Sequence, residues 1–171
     1  MIVVNLFAGP GSGKSTTCAG LFHKLKLAGV NCEMALEYAK DKVWEESYKI
    51  LDDQIYVFGK QLHRIFRLKD KVDVVITDSP LPLSIYYDKS ENPYFSKLVM
   101  NQFNQFENIN FFFGRDDTYN TKGRMQTLAE AKAIDVAIYN LLNENNIPYC
   151  EVPKETAVEE IFNEIMRFLW K

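Results

Sequence analysis

Residues 8–16 read Ala8-Gly9-Pro10-Gly11-Ser12-Gly13-Lys14-Ser15-Thr16, and this stretch decides the fold. An almost wholly apolar run precedes it at residues 2–7, and a segment with apolar residues at helical spacing follows it. A strand, a glycine-rich turn ending in Lys-Ser and a helix are together the setting of a phosphate-binding P-loop. The strict pattern has glycine where this chain has Ala8, a mild departure because that residue only opens the turn. The stretch therefore predicts a nucleoside triphosphate site.

The chemistry of the loop predicts what its residues do. Glycines lack a Cβ, so the backbone can adopt positive φ and approach a ligand closely. The turn then directs several N–H groups inward, and the following helix adds its N-terminal amides and its dipole. Lys14 is predicted to reach the β- and γ-phosphates, and the Ser15 hydroxyl is predicted to hold Mg²⁺. The residues predicted to bind ATP and Mg²⁺ are Gly9, Gly11, Ser12, Gly13, Lys14, Ser15 and Thr16.

Length and composition bound the class of protein. The chain has 171 residues, 47% of them hydrophobic, which suits one α/β domain over residues 1–171. The net charge of −3 indicates no general affinity for nucleic acid, although a local basic groove stays open. No apolar run approaches about 18 residues, and Met1 leads directly into the first strand without a signal peptide. Three widely spaced cysteines are typical of reduced thiols. We expect a cytoplasmic protein, in the host cytoplasm if viral, with no membrane partner and an open oligomeric state.

The apolar pattern predicts five strands with helices between them. Alternation of strand and helix predicts a five-stranded parallel sheet with helices on both faces, a three-layer α/β fold. The segment after Pro80 and Pro82 is predicted to be a loop, because proline stops an immediate helix. The predicted strands are residues 2–7, 30–36, 72–77, 109–113 and 148–152; the predicted loop is 83–93; the predicted helices are 13–28, 41–68 with a break near 51–53, 94–106, one capped by Thr127 and Glu130, and 156–169.

Two carboxylates follow predicted strands. Ligands of open parallel sheets gather beyond the carboxyl ends of the strands, and Glu37 and Asp78 both lie there. Asp78 ends an apolar strand downstream of the P-loop, as a Walker B residue does, and would hold Mg²⁺ or accept the proton of an attacking hydroxyl. Glu37 is predicted to be a catalytic or substrate-binding acid. A solvated loop acid is the equally weighted alternative for Glu37, and a cap or turn residue is the weaker alternative for Asp78.

A polar segment between two arginines predicts a lid at about residues 115–126. Residues 116–123 contain two aspartates, threonines and a glycine, and Arg115 and Arg124 bracket them. Both arginines are predicted to neutralise charge on a phosphoryl group during transfer. Surface charge is an equally weighted alternative for each arginine.

Aromatic and amide side chains between the second and third strands predict a binding site for a planar base. Tyr38 and Trp44 have rings suited to stacking, and Gln54 has an amide that can pair with a base edge. Gln61 has the same chemistry, although an exposed helical glutamine is favoured for either amide alone. A basic cluster at residues 60–71 is predicted to be a solvated helix face rather than a binding patch.

Absent motifs narrow the reaction. The Asp-x-x-Gly and Asn-Lys-x-Asp motifs of GTPases and the Leu-Ser-Gly-Gly motif of transporters do not occur in the chain. The chain is also too short for a ring-forming ATPase with its additional helical domain. A kinase is the leading hypothesis, and an ATP-binding regulatory or switch protein without an acceptor is the alternative.

The layout resembles the small P-loop kinases of nucleosides and nucleotides, the broad thymidylate kinase group. The runs Glu37-Tyr38-Ala39-Lys40 and Ile76-Thr77-Asp78-Ser79-Pro80 are similar to those of small kinases of tailed bacteriophages, some of which phosphorylate 5-hydroxymethyluracil in DNA. The group's Asp-Arg-Tyr/His after the third strand is absent, as is the Asp-x-Asp of shikimate kinases after the second.

The resemblance implies ATP-dependent transfer of a γ-phosphoryl group to a hydroxyl of a nucleoside- or nucleotide-like acceptor. A flipped 5-hydroxymethyluracil base in phage DNA is the sharpest sub-case. The implied catalytic residues are Lys14, Asp78, Glu37, Arg115 and Arg124, with Ser15 and Asp78 on Mg²⁺ and with Glu37, Tyr38, Trp44 and Gln54 on the acceptor. Either Asp78 or Glu37 would act as the base.

Overall fold

A computed structural model gives the structure of residues 1–90, 92–115 and 127–170. The strands are β1 (Ile2–Phe7), β2 (Cys32–Met34), β3 (Val74–Thr77), β4 (Glu107–Phe113) and β5 (Cys150–Val152). They form one sheet in the order β2-β3-β1-β4-β5, and every neighbouring pair is parallel. The predicted five-stranded parallel sheet is therefore confirmed.

Within the described residues, six helices lie between these strands and a seventh follows β5. The predicted capping box at the start of the sixth is confirmed, since Thr127 Oγ1 accepts from the Glu130 amide at 3.3 Å and the Glu130 carboxylate accepts from the Thr127 amide at 2.7 Å. The helices are α1 (Lys14–Leu27), α2 (Tyr38–Trp44), α3 (Gln54–Phe66), α4 (Leu83–Tyr87), α5 (Pro93–Phe103), α6 (Leu128–Glu144) and α7 (Ala157–Leu169), with a 3₁₀ turn at Tyr48–Asp52.

The central strand divides its side chains between two apolar cores. Val4 and Leu6 of β1 pack with residues of α1 and α7, whereas Val3 and Phe7 pack with residues of α3, α5 and α6. This alternation follows from the period of two in a strand and buries both faces of the sheet. The carboxyl ends of β1, β2 and β3 therefore lie together at one edge, where the P-loop, Glu37 and Asp78 follow.

The loop predicted for residues 83–93 is wrong in its first half, because Leu83–Tyr87 form the short helix α4. Pro82 occupies the N-cap of this helix with φ −60° and ψ −20°. Proline lacks an N–H, but the first amides of a helix have no intrahelical partner, and its fixed φ suits a helix start. Pro82 therefore begins a helix instead of preventing one.

None of the helices among the described residues is long and apolar enough to cross a membrane.

Candidate functional site

The P-loop connects β1 to α1 and uses its glycines in two different ways. Gly11 and Gly13 have φ values of 84° and 94°, in the region that side chains disfavour. Gly9 is not among the residues with positive φ. A Cβ at Gly9 would instead lie 2.9 Å from the Ala131 carbonyl oxygen and 2.9 Å from Asp135 Oδ1. Gly9 therefore permits close approach of α6 rather than the backbone conformation predicted for it.

Lys14 folds back onto the start of its own loop. Its Nζ donates to the carbonyl oxygens of Ala8 at 2.7 Å and Gly9 at 2.8 Å. Burial lowers the pKa of Lys14, while the charges of Glu37 and Asp78 oppose that shift. The ammonium thus lies between the acidic groups and the P-loop backbone, and its contact with phosphate stays a prediction.

Ser15 and Asp78 are in direct contact. Ser15 Oγ donates to Asp78 Oδ2 at 2.5 Å, and the Glu37 amide donates to Asp78 Oδ1 at 3.0 Å. Asp78 is buried at the end of β3. A hydroxyl and a carboxylate are hard oxygen donors of the kind that Mg²⁺ prefers, so these two residues fit the predicted metal.

Glu37 lies at the N-cap of α2, three residues beyond the end of β2. Burial raises the pKa of its carboxyl, the charge of Lys14 lowers it, and that of Asp78 raises it. Glu37 is half-buried rather than fully solvated. A carboxylate with a raised pKa in a cleft is suited to accept a proton.

A cavity of about 660 Å³, called the main cavity below, lies above these groups. The P-loop residues Lys14 and Ser15 line it together with Glu37, Asp78 and Gln54. The predicted catalytic and substrate residues are thus partly collected on one concave surface. The other walls come from helices α2 to α4 and the 3₁₀ turn, and include Val43, Tyr48, Val57, Leu83, Ser84 and Tyr87.

A smaller cavity of about 230 Å³ adjoins the same carboxylates from the side of α1 and α2. Ser15, Glu37 and Asp78 line both cavities. Trp44 lines only the smaller cavity and is 70% exposed. The indole therefore lies near the carboxylates but outside the wall of the main cavity.

Tyr38 is not on the wall of either cavity. Its ring is buried and meets the Tyr56 ring edge-on at 6.0 Å between centroids. Lys42 and Arg64 approach the same ring at 5.3 and 5.4 Å from its centroid. The structure does not bring Tyr38 together with the other predicted substrate residues.

Gln61 is buried, so its favoured interpretation as an exposed glutamine is wrong. Its Oε1 accepts from the Tyr38 amide at 2.9 Å, and its Nε2 donates to the Ala35 carbonyl at 3.3 Å and to Thr77 Oγ1 at 3.4 Å. Gln61 thus joins the ends of β2 and β3 to the start of α2 and positions the segments that carry Glu37 and Asp78.

Arg115 follows β4 but does not line either cavity. Its guanidinium bonds to the carboxylate of Asp135 through Nε and, at 3.1 Å, through one terminal nitrogen. Arg124 and most of the predicted lid, residues 116–126, lie outside the described residues. The transfer role predicted for Arg124 stays a prediction.

Asp135 is the residue of this site that the sequence interpretation missed. It accepts from the Gly9 amide at 2.6 Å and also bonds to Arg115. A signal was present: Asp135 stands four residues after Ala131 and three before Ile138, both buried in the apolar face of α6. An acid at that spacing needs a buried partner.

Comparisons with known proteins agree with the fold. The model of the family described as "AAA domain" matches residues 3–160. The structure is similar to the NadR protein crystallised in complex with NR, at 14% identity and a TM-score of 0.73. The match covers 96% of this chain and 50% of that one, so this chain spans half the length of that protein. It is also similar to the shikimate kinase of Aquifex aeolicus, at 17% identity and a TM-score of 0.52 over 98% and 95% of the two chains. No curated protein matches.

Proposed function

The chain belongs to the AAA domain family, and from that premise we propose that it is an ATP-dependent phosphotransferase. It moves the γ-phosphoryl group of ATP to a hydroxyl of a nucleoside- or nucleotide-like acceptor. One observation carries the proposal: Lys14, Ser15, Asp78 and Glu37 line one cavity of about 660 Å³. The same cavity extends beyond the P-loop to Gln54, Ser84 and Tyr87, which supports a place for an acceptor next to the bound nucleotide.

The donor half consists of the P-loop, Ser15 and Asp78. Backbone amides and Lys14 bind the β- and γ-phosphates, and the ammonium exchanges its two carbonyl partners for phosphate oxygens. Ser15 and Asp78 would hold Mg²⁺ between them, in place of their present hydrogen bond. When bound, Mg²⁺ supplies positive charge that neutralises the phosphate oxygens.

Glu37 is the base of the proposed reaction. Both oxygens of Asp78 already accept hydrogen bonds, whereas no hydrogen bond among the described residues occupies the carboxylate of Glu37. Glu37 takes the proton of the acceptor hydroxyl while that oxygen forms a bond to the γ-phosphorus. The bond from the γ-phosphorus to the bridging oxygen of ADP breaks in the same step, so atoms and charge balance.

The acceptor binds in the main cavity. Its volume falls within the range typical of small-molecule sites, roughly 300–1,000 Å³, and its wall mixes apolar side chains with the Gln54 amide and the Ser84 hydroxyl. The similar NadR protein was crystallised in complex with NR, so NR is one candidate acceptor. The sharpest form of the proposal is 5-hydroxymethyluracil in phage DNA, which would have to be flipped out of its stack.

Labelled ATP tests the proposal directly. Protein is incubated with γ-labelled ATP, Mg²⁺ and, separately, nucleosides, nucleoside monophosphates, shikimate and DNA containing 5-hydroxymethyluracil. We expect label on one class of acceptor hydroxyl, and the class identifies the substrate. Binding of ATP with no labelled acceptor across the panel would contradict the proposal and favour the regulatory alternative.

The pH dependence of transfer tests the role of Glu37. Only the carboxylate accepts a proton, so the rate should fall as the pH is lowered through the pKa of Glu37. Because burial raises that pKa, the fall begins at a higher pH than for an ordinary glutamate. The measurement is kcat against pH, between about pH 5 and pH 9, for the wild type and Glu37→Gln.

We expect Glu37→Gln to lose about 10²-fold or more in kcat and to lose the acidic limb of the profile. Glu33→Gln is the matched control, because Glu33 lies on β2 and its carboxylate is 3.8 Å from Lys26 Nζ, in an ion pair away from the site. An unchanged acidic limb in Glu37→Gln would assign the base role to another group.

A further inference from the structure

The peptide of Gly9 is the point on which the hydrogen bonds of the P-loop converge. Its carbonyl oxygen accepts from Lys14 Nζ at 2.8 Å and from Ser12 Oγ at 3.2 Å. Its amide donates to Asp135 Oδ1 at 2.6 Å. Ser12 and Lys14 of the phosphate-binding turn therefore bond to the carbonyl of this peptide, and Asp135 of α6 bonds to its amide.

Asp135 is fixed in turn by a buried ion pair. The side chains of Asp135 and Arg115 are 14% and 6% exposed, and two nitrogens of the guanidinium bond to the two carboxylate oxygens. A bidentate pair of this kind restricts the orientation of the carboxylate. Oδ1 of Asp135 is thus held in the place where it meets the Gly9 amide.

The packing at Gly9 leaves no room for a side chain between the P-loop and α6. A Cβ at Gly9 would lie 2.9 Å from the backbone oxygen of Ala131 and 3.2 Å from a terminal nitrogen of Arg115. The Ala131 oxygen belongs to the backbone of α6 and cannot turn aside as a flexible side chain can. Contact with α6 therefore sets the position of the Gly9 peptide.

We infer that Asp135 is a positioning residue for the donor triphosphate, and that Arg115 acts by orienting Asp135 rather than by contacting the transferring phosphoryl group. Asp135 holds the Gly9 peptide, and that peptide sets the places of Ser12 and Lys14. The charge of Asp135 also helps to keep Lys14 protonated against the effect of burial. The inference rests on the proposed function only in taking the ligand of the P-loop to be ATP.

Binding of ATP without any acceptor tests the inference. The dissociation constant of Mg·ATP is measured by calorimetry for the wild type, Asp135→Ala and Asp135→Asn. We expect Asp135→Ala to weaken binding by at least about tenfold, since it removes a charge-assisted hydrogen bond to the loop. Asp135→Asn keeps an oxygen that can accept from the Gly9 amide, so it should bind ATP more tightly than Asp135→Ala.

Further variants separate positioning from a general loss of stability. Glu159→Ala is the matched control, because it breaks the ion pair that joins Lys24 of α1 to α7 without touching the loop, and it should bind ATP like the wild type. Asp135→Ala with Arg115→Ala should bind ATP no more weakly than Asp135→Ala alone, because the inference has Arg115 act on the P-loop through Asp135. If Asp135→Ala does not fold, Asp135→Asn and Arg115→Ala carry the test.

The outcomes keep this inference apart from the kinase proposal. ATP affinity within twofold of the wild type in both Asp135 variants would overturn the inference, as would equal weakening by Asp135→Asn and Asp135→Ala. An Arg115→Ala variant that binds ATP normally but transfers phosphate at a greatly reduced rate would also overturn it. Weakened ATP binding in a protein that labels no acceptor would support the inference while the kinase proposal fails.

Discussion

Lys14→Ala is expected to abolish transfer and to leave the fold intact. The ammonium lies inside the P-loop turn, where it donates to the carbonyl oxygens of Ala8 and Gly9. Without it, the phosphates lose a preorganised charge that is worth roughly 10²–10³ in kcat when a single such donor is removed. We expect a loss of at least about 10³-fold, because Lys14 also balances the charges of Glu37 and Asp78.

The fold should survive this substitution, because other bonds hold the loop. The Gly9 amide keeps its bond to Asp135, and Ser12 keeps its bond to the Gly9 carbonyl. Transfer to the acceptor identified with labelled ATP and thermal unfolding by circular dichroism are the two measurements. Lys26→Ala on the same helix is the control and should match the wild type in both. Wild-type turnover in Lys14→Ala would remove the P-loop from the mechanism.

Asp78→Asn is expected to lower kcat by at least about 10²-fold, on the scale of losing a metal ligand or a general base. The amide has the shape of the carboxylate, and its oxygen can still accept from the Glu37 amide. It carries no charge, and its NH₂ group would face the Ser15 hydroxyl. The substitution therefore removes the proposed Mg²⁺ ligand while the packing at the end of β3 stays.

Titration with Mg²⁺ identifies the cause of the loss. If Ser15 and Asp78 hold one ion, Asp78→Asn should require more Mg²⁺ for half-maximal rate, and adding Ser15→Ala should cost little further activity. Asp73→Asn is the control, because Asp73 is exposed and precedes the opposite end of the same strand. A near-wild-type rate in Asp78→Asn would leave Glu37 as the essential carboxylate.

The parts of this molecule that were predictable depend on local patterns. The P-loop and the capping box at Thr127 and Glu130 are short motifs that neighbouring residues in the sequence are enough to identify. The parallel sheet follows from apolar runs separated by helical spacing, and Glu37 and Asp78 were found because they follow two of those runs. These inferences needed no knowledge of which helix packs against which strand.

The parts that were missed depend on contacts between distant segments. Gln61 was interpreted as exposed because α3 alone does not reveal that its amide meets the ends of β2 and β3. The ring of Tyr38, which predicts a substrate contact, packs against Tyr56 of α3, and the sequence alone does not show that contact. Asp135 lies 126 positions from Gly9, and only the packing of α6 brings the two together.

The bonded peptide of Gly9 also has a thermodynamic consequence. A ligand bound at the P-loop and a ligand or partner bound against α6 would both act on this peptide, whose amide donates to Asp135 and whose carbonyl accepts from Lys14. Binding free energies are reciprocal, so a factor by which the first changes the affinity of the second applies equally in reverse. Hydrogen exchange at the Gly9 amide would report this coupling, because that proton is released only when the loop and the helix separate.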